Sequence, residues 1–169
     1  RIVPNKGHLH LIRTLKSYVN FFGTNVRLHL VGEVSPRMGE YYRVLEKEIK
    51  KYKLGELIIF HQKVNLETLH TLYKYSNVFL LLSEHEGFCV PILEAQYHHL
   101  PIIAWDQCAV SETLGSGQFL FQECNYDAFA IAAHKLTTDL KLTNKLIQNG
   151  VENLKQYDNA ETIKKTLIT

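Results

Sequence analysis

Ser83-Glu84-His85-Glu86-Gly87-Phe88-Cys89-Val90-Pro91-Ile92-Leu93-Glu94-Ala95 follows directly on the apolar run Val78–Leu82, and the change of pattern at Ser83 decides how the chain is read. Five apolar residues in a row, bounded by polar ones, predict a short strand buried on both faces. A loop with one glycine comes next. Pro91 then stands where a helix begins, a position that suits its fixed φ and missing N–H. Strand, loop and helix in this order make one step of a parallel α/β layer.

The same step repeats in both directions. Apolar runs at Val26–Val31, Leu57–Phe60, Pro101–Trp105 and Gln118–Phe121 predict four more strands. Between them apolar residues recur every three to four positions, as helices require. Leu9, Ile12, Leu15, Val19 and Phe22 form one such series. Tyr42, Leu45, Ile49 and Tyr52 form a second, and Leu66, Leu69 and Leu72 a third. From Tyr126 to Thr169 helical patterns follow one another without a strand: Phe129, Ala132, Ala133 and Leu136, then Ile147, Val151 and Leu154, then Ile163 and Leu167. The expected fold is a doubly wound, Rossmann-like parallel sheet with helices on both faces and a helical C-terminal tail of two or three helices. Residues 1–169 read as one domain.

Composition narrows the function. Nineteen Lys+Arg against 17 Asp+Glu leave a net charge of +2, with no long same-sign block, so a nucleic-acid arm is not expected. At 46% hydrophobic and 21% charged residues the chain is globular. Three widely spaced cysteines without a CxxC argue against a disulfide framework and for a reducing, cytoplasmic setting. No apolar run approaches the ~20 residues of a membrane span. The sequence opens on Arg1 and not on Met, and reads as a piece of a larger protein.

A doubly wound sheet binds ligands at the carboxyl ends of its strands. Those ends are Gly32-Glu33, His61–Lys63, Ser83–Phe88 and Asp106–Ala109. The helix start at Pro91 offers unpaired amides and the positive end of a dipole, both favourable to phosphate. Gly87 lets a ligand approach the backbone closely. Glu86 and Glu94, eight residues apart, flank that start. Two carboxylates so placed can accept hydrogen bonds from two sets of hydroxyls with a diphosphate between them. Spacing alone leaves a second reading open: a glutamate early in a helix also suits the dipole, by ~0.3–1 kcal/mol.

Glu86-Gly87-Phe88 with Pro91-Ile92-Leu93-Glu94-Ala95 resembles the Glu-x7-Glu motif of retaining glycosyltransferases of family 4, the group 1 glycosyltransferases with the GT-B fold. Four further segments fall in the family's order. Arg1-Ile2-Val3-Pro4-Asn5-Lys6-Gly7 resembles its R-x-x-x-x-K-G turn, and Leu30-Val31-Gly32 its L-V-G strand end. Leu66 to Phe79 resembles the L-x-x-L-Y-x-x-A-D-V-F approach to the motif, and Leu100-Pro101-Ile102-Ile103-Ala104 the P-V-I-A strand after it. The likeness runs from Arg1 to about residue 158. The chain departs from the pattern where His99 and Gln62 stand in place of the family's glycines, and where Ser111-Glu112 replaces its P-E.

The resemblance implies the donor domain of a two-domain enzyme. The family's first donor-domain strand and its N-terminal acceptor domain would precede Arg1. Lys6 and Arg1 are implied to grip the donor diphosphate, and Glu86 to contact hydroxyls of the transferred sugar. Gly87 and Phe88 would present backbone N–H groups near the phosphates, and Glu94 would bind the ribose hydroxyls. The base pocket is implied near Gln62 to Val64. Lys6, Arg1 and Glu86 are thus the implied catalytic set, and Gly32, Lys63, Val64, His85, Gly87, Phe88, Cys89, Val90 and Glu94 the implied donor-binding set. The implied activity is hexosyl transfer with retention, from a nucleotide-diphosphate sugar to a glycan or lipid-linked acceptor of the surface-polysaccharide or lipopolysaccharide kind. No metal and no cofactor are implied. The isolated piece is expected to bind donor weakly and not to turn over.

The remaining features read more plainly. Among nine histidines, His8 and His10, and His98 and His99, diverge in direction, and no zinc spacing appears. His85 reads equally as a ligand contact or a packed loop side chain. Cys89 reads as a packed residue, without an evident base to activate it. Arg43, Lys47, Lys50, Lys51 and Lys53 form a basic helix face. It reads as solvated surface, with peripheral contact to anionic lipid as the alternative. A related sugar-nucleotide epimerase and a degenerate binding module that has lost turnover stay as competing functions. A phosphorylase would need a lysine segment for pyridoxal phosphate, and a dehydrogenase a GxGxxG after a strand; neither is present.

Overall fold

Every strand pairing in the computed structural model, which describes residues 1–157, is parallel. The five apolar runs become β1 (Leu28–Val31), β2 (Ile58–Gln62), β3 (Phe79–Leu81), β4 (Ile102–Trp105) and β5 (Phe119–Phe121). Between and after them lie α1 (His8–Phe22), α2 (Gly39–Tyr52), α3 (Leu66–Tyr75), α4 (Val90–Tyr97), α5 (Val110–Leu114), α6 (Tyr126–Thr138) and α7 (Leu140–Leu154). The Ile163 and Leu167 pattern of the tail lies outside the described residues. Three helices start at an Asn or Asp whose side chain accepts an amide of the first turn: Asn65 from Thr68, Asn125 from Ala128 and Asp139 from Leu142.

The parallel layer comes in two pieces, β1-β2 and β3-β4-β5. Alternation along β4 shows how the layer is wound. Ile103 joins a core with Ile12, Leu15, Leu30 and Phe129, while Ile102 and Ala104 join a second core with Ile92, Val110 and Leu114. Helices therefore cover both faces there. On the first side α1 packs against α6 and α2, and on the second α4 packs against α5 and α7.

The expectation that all strands are buried on both faces holds for β3, β4 and β5, whose side chains alternate between the two cores, and fails for β1 and β2. His29 on β1 and Ile59 on β2 are exposed. The other face of this pair carries Leu30 and Ile58 into the core under α1 and α2. Its second face lacks a closely packed helix, because α3 buries no residue fully. The short helix α5 was not expected. Its five residues span little more than one turn, too few to display a period.

α7 is docked by buried amides as well as by apolar contact. Asn153 Nδ2 donates to Gln96 Oε1 at 3.0 Å and to the Thr113 carbonyl at 2.9 Å, and Gln96 Nε2 donates to the Leu114 carbonyl at 2.9 Å. This network ties α7 to α4 and α5. It leaves the carboxyl ends of β3 and β4, on which the predicted site residues stand, on a rigid support. Among the described residues no helix is long and apolar enough to cross a membrane.

Candidate functional site

Lys6 and Glu86 are 80 residues apart and in direct contact. Lys6 Nζ donates to both carboxylate oxygens of Glu86, each at 2.8 Å. Lys6 arrives on a 3₁₀ turn, Pro4–Lys6, which ends at Gly7 in the left-handed region, φ 68°. Gly7 is required twice over: by that φ, and because a Cβ there would run into the Leu82 carbonyl at the end of the β3 run. The close approach of Gly7 to Leu82 brings the lysine to the loop that carries Glu86. The Glu84 amide donates to the Asn5 carbonyl at 2.9 Å and locks the two segments together.

Glu86 is only 6% exposed. A carboxylate is costly to bury unless paired and hydrogen-bonded, and Lys6 supplies the pairing. Nothing in the packing of the fold calls for a charge at this place. The pair lies beside the start of α4, where the amides of Gly87, Phe88 and Cys89 donate to no acceptor among the described residues. A Cβ on Gly87 would meet nothing within 4 Å, so the space in front of this backbone is open.

Glu94 sits in the second turn of α4 and accepts a hydrogen bond from the Tyr73 hydroxyl, 2.9 Å from Oε2. Cys89 lies between the two glutamates, 1% exposed in the second core. Burial first, and then the charge of Glu86, push its thiol up to about 12. Cys89 therefore stays a neutral thiol packed in the second core, as its sequence setting suggested. Val90 begins α4 one residue before Pro91.

Other predicted residues stand around this centre. Arg1 is exposed, and its backbone crosses Gly32 so closely that a Cβ there would lie 2.9 Å from the Arg1 nitrogen. The Ile2 amide donates to the Glu33 carbonyl at 3.0 Å, which fixes this crossing. His85 is exposed and places Nδ1 3.2 Å from Cys108 Sγ. Phe88 is exposed and lies 6.0 Å, centroid to centroid, from the Tyr157 ring. Lys63 and Val64 follow β2, at the end of the other strand pair. No hydrogen bond or ion pair among the described residues joins them to Lys6, Glu86 or Glu94. The structure thus gathers Lys6, Glu86, Cys89 and Glu94, and leaves Lys63 and Val64 to one side. Among the described residues no cluster of three His, Cys, Asp or Glu is placed to hold a metal ion.

Tyr73 is the site residue that sequence reasoning passed over. It stands in the Leu66 to Phe79 segment that resembles the family's approach to the motif, but that resemblance implied no role for it. No local signal marks a contact 21 residues ahead.

Comparison with known proteins shows the family and the fold. The family model described as glycosyl transferases group 1 matches residues 1–153. The capsular polysaccharide biosynthesis glycosyltransferase CapM of Staphylococcus aureus is 26% identical over 158 residues, 89% of this chain and 38% of CapM. The chain thus spans well under half the length of that curated relative. Anabaena HepE, crystallised in complex with UDP and glucose, superposes with a TM-score of 0.84 at 21% identity, over 99% of this chain and 45% of HepE. The C-terminal domain of a group 1 family glycosyl transferase, LpcC of Francisella tularensis, gives 0.79 at 24% identity, over 92% of this chain and 81% of that domain. These two likenesses establish the fold.

Proposed function

The chain belongs to the group 1 glycosyl transferases, and from that membership we propose that it is the donor-binding domain of a retaining hexosyltransferase. Its substrate is a nucleotide-diphosphate sugar, and the acceptor, a glycan or lipid-linked glycan, is held by a second domain of the whole protein. The length of the relatives and the match to an isolated C-terminal domain support this division.

The single observation that carries the reading is the pairing of the buried Glu86 with the part-exposed Lys6 at the start of α4. Transfer breaks the anomeric C–O bond, and negative charge gathers on the departing diphosphate. In this reading Lys6 Nζ, the Arg1 side chain and the free amides of Gly87 and Phe88 meet that charge as it develops. Such preorganised donors act most strongly in the transition state. Charge-assisted hydrogen bonds of this type contribute about 1.5–3 kcal/mol each. Before donor arrives, Lys6 keeps the buried Glu86 carboxylate paired, and Glu86 holds the lysine charge in place. With donor bound, Glu86 accepts hydrogen bonds from the transferred sugar and Glu94 from the ribose. Gly32, Lys63 and Val64 border the base, with His85 at the edge of the sugar site. The charge is met by side chains and amides, and neither metal nor cofactor enters the proposal.

The test is calorimetric titration of the full-length protein with UDP, GDP and ADP and with their sugars. Lys6→Ala weakens binding of the preferred diphosphate by at least about tenfold, or roughly 1.4 kcal/mol. Glu94→Ala weakens nucleotide binding, and Glu86→Gln alters discrimination among sugars. Wild-type affinities in all three variants would overturn the assignment.

A further inference from the structure

We infer that Tyr73 is a positioning residue for Glu94: it fixes the carboxylate that reads the ribose hydroxyls, and so sets the preference for ribose over deoxyribose. The inference rests on the reading of Glu94 proposed above. Tyr73 projects from α3 toward α4, and its hydroxyl donates to Glu94 Oε2 at 2.9 Å. The ring is held from behind by His98, the residue that ends α4, stacked at 5.3 Å between centroids with planes 3° apart. His70 of α3 lies 5.0 Å from His98 on the far side. The phenol is thus clamped between the helix that bears Glu94 and its own.

Burial, then the Glu94 charge, raise the Tyr73 pKa well above the ordinary phenol range. The hydroxyl therefore stays protonated at any working pH and can keep donating to Glu94. This donor role has a consequence for the ligand. Each carboxylate oxygen accepts about two hydrogen bonds. With Tyr73 on Oε2, Glu94 keeps all of Oε1 and one remaining position on Oε2. Two cis hydroxyls of a ribose take two of these three positions, one on each oxygen. A deoxyribose supplies only one such donor and forgoes a hydrogen bond to a charged group, which is costly. Without the phenol the carboxylate is free to rotate, and the match to two hydroxyls is lost along with the penalty for missing one.

The experiment measures, on the full-length protein, dissociation constants for UDP and dUDP, GDP and dGDP, and ADP and dADP, with inorganic pyrophosphate as a probe of the phosphate site alone. Tyr73→Phe keeps the ring and removes only the donor. It is expected to lower the ribo-to-deoxy preference by about five- to tenfold, within the range of one ordinary hydrogen bond, and to leave pyrophosphate binding unchanged. In a Glu94→Ala background Tyr73→Phe is expected to add nothing. His98→Ala, which leaves the hydroxyl and removes its stacking partner, shifts the ratio in the same direction by a smaller factor, and reads the same effect should Tyr73→Phe fail to fold. A merely structural role would move all ligands together. Loss of preference in Glu94→Ala with a wild-type ratio in both Tyr73→Phe and His98→Ala would overturn the positioning role. An unchanged ratio in Glu94→Ala itself, or no binding of any of the three ribonucleotides by wild type, would instead overturn the donor-site reading on which it rests.

Discussion

His8 is 6% exposed in the first turn of α1, and its Nδ1 finds no hydrogen-bond partner. Burial, with a smaller contribution from nearby Lys6, pushes its pKa down to about 4. The unfolded chain binds the same proton near the ordinary value of ~6.5. Because the folded value is the lower one, the neutral form favours folding. Stability is full above about pH 6.5 and falls as the pH drops toward 4, where the folded side chain also takes its proton. The loss amounts to roughly 3 kcal/mol at ~1.4 kcal/mol per pH unit. Urea unfolding at a series of pH values is expected to show this slope, and His8→Gln to flatten it. Persistence of the full slope in His8→Gln would assign it to other groups. Single residues differ sharply in how far their sequence announces them. Lys6, Glu86 and Glu94 stand in motifs with characteristic spacing, and the structure brings the first two into contact. Tyr73 falls in a matched segment that implied no role for it, and His8 in none, because burial and partner are set by segments far away in the chain.

At the scale of elements, the departures from the family pattern are the informative positions. Gln62 ends β2 with φ 52°, and His99 follows α4 with φ 57°. Both keep the left-handed backbone that a glycine at those positions would favour. The turns are thus dictated by the fold, and the side chains bear the strain of about 1–2 kcal/mol. Both side chains are exposed, so replacing them sacrifices little packing. Gln62→Gly and His99→Gly are each expected to stabilise the protein by about 1 kcal/mol, less than the full strain because glycine also gains freedom in the unfolded chain. The readout is a rise in the urea midpoint with an unchanged m-value; a lower midpoint would contradict the argument. Strand and helix positions were legible because a period of two or of three to four repeats often enough to be read. α5 is too short for that. Gln96 and Asn153, polar residues on helices, are buried partners. Pairing between amides on α4 and α7 leaves no trace in either segment alone.

The whole molecule follows from how these elements are layered. β4 is buried on both faces and separates two cores, as a doubly wound sheet requires. The β1-β2 pair, with His29 and Ile59 exposed, is covered on one face only. Periodicity alone could not tell these cases apart, since both kinds of strand are short and apolar. The order of strands and helices puts the loops after β3 and β4 at one edge. There Gly7, by its approach to Leu82, delivers a lysine from the start of the chain to a glutamate in its middle. The central claim is that this edge receives a diphosphate. Its most direct test is a crystal structure of the full-length protein with the nucleoside diphosphate it binds best. The account predicts phosphate oxygens within hydrogen-bond distance of Lys6 Nζ and the Gly87 and Phe88 amides, with ribose hydroxyls on Glu94. A diphosphate bound elsewhere, with Lys6 still held by both oxygens of Glu86 and no ligand at Glu94, would contradict it.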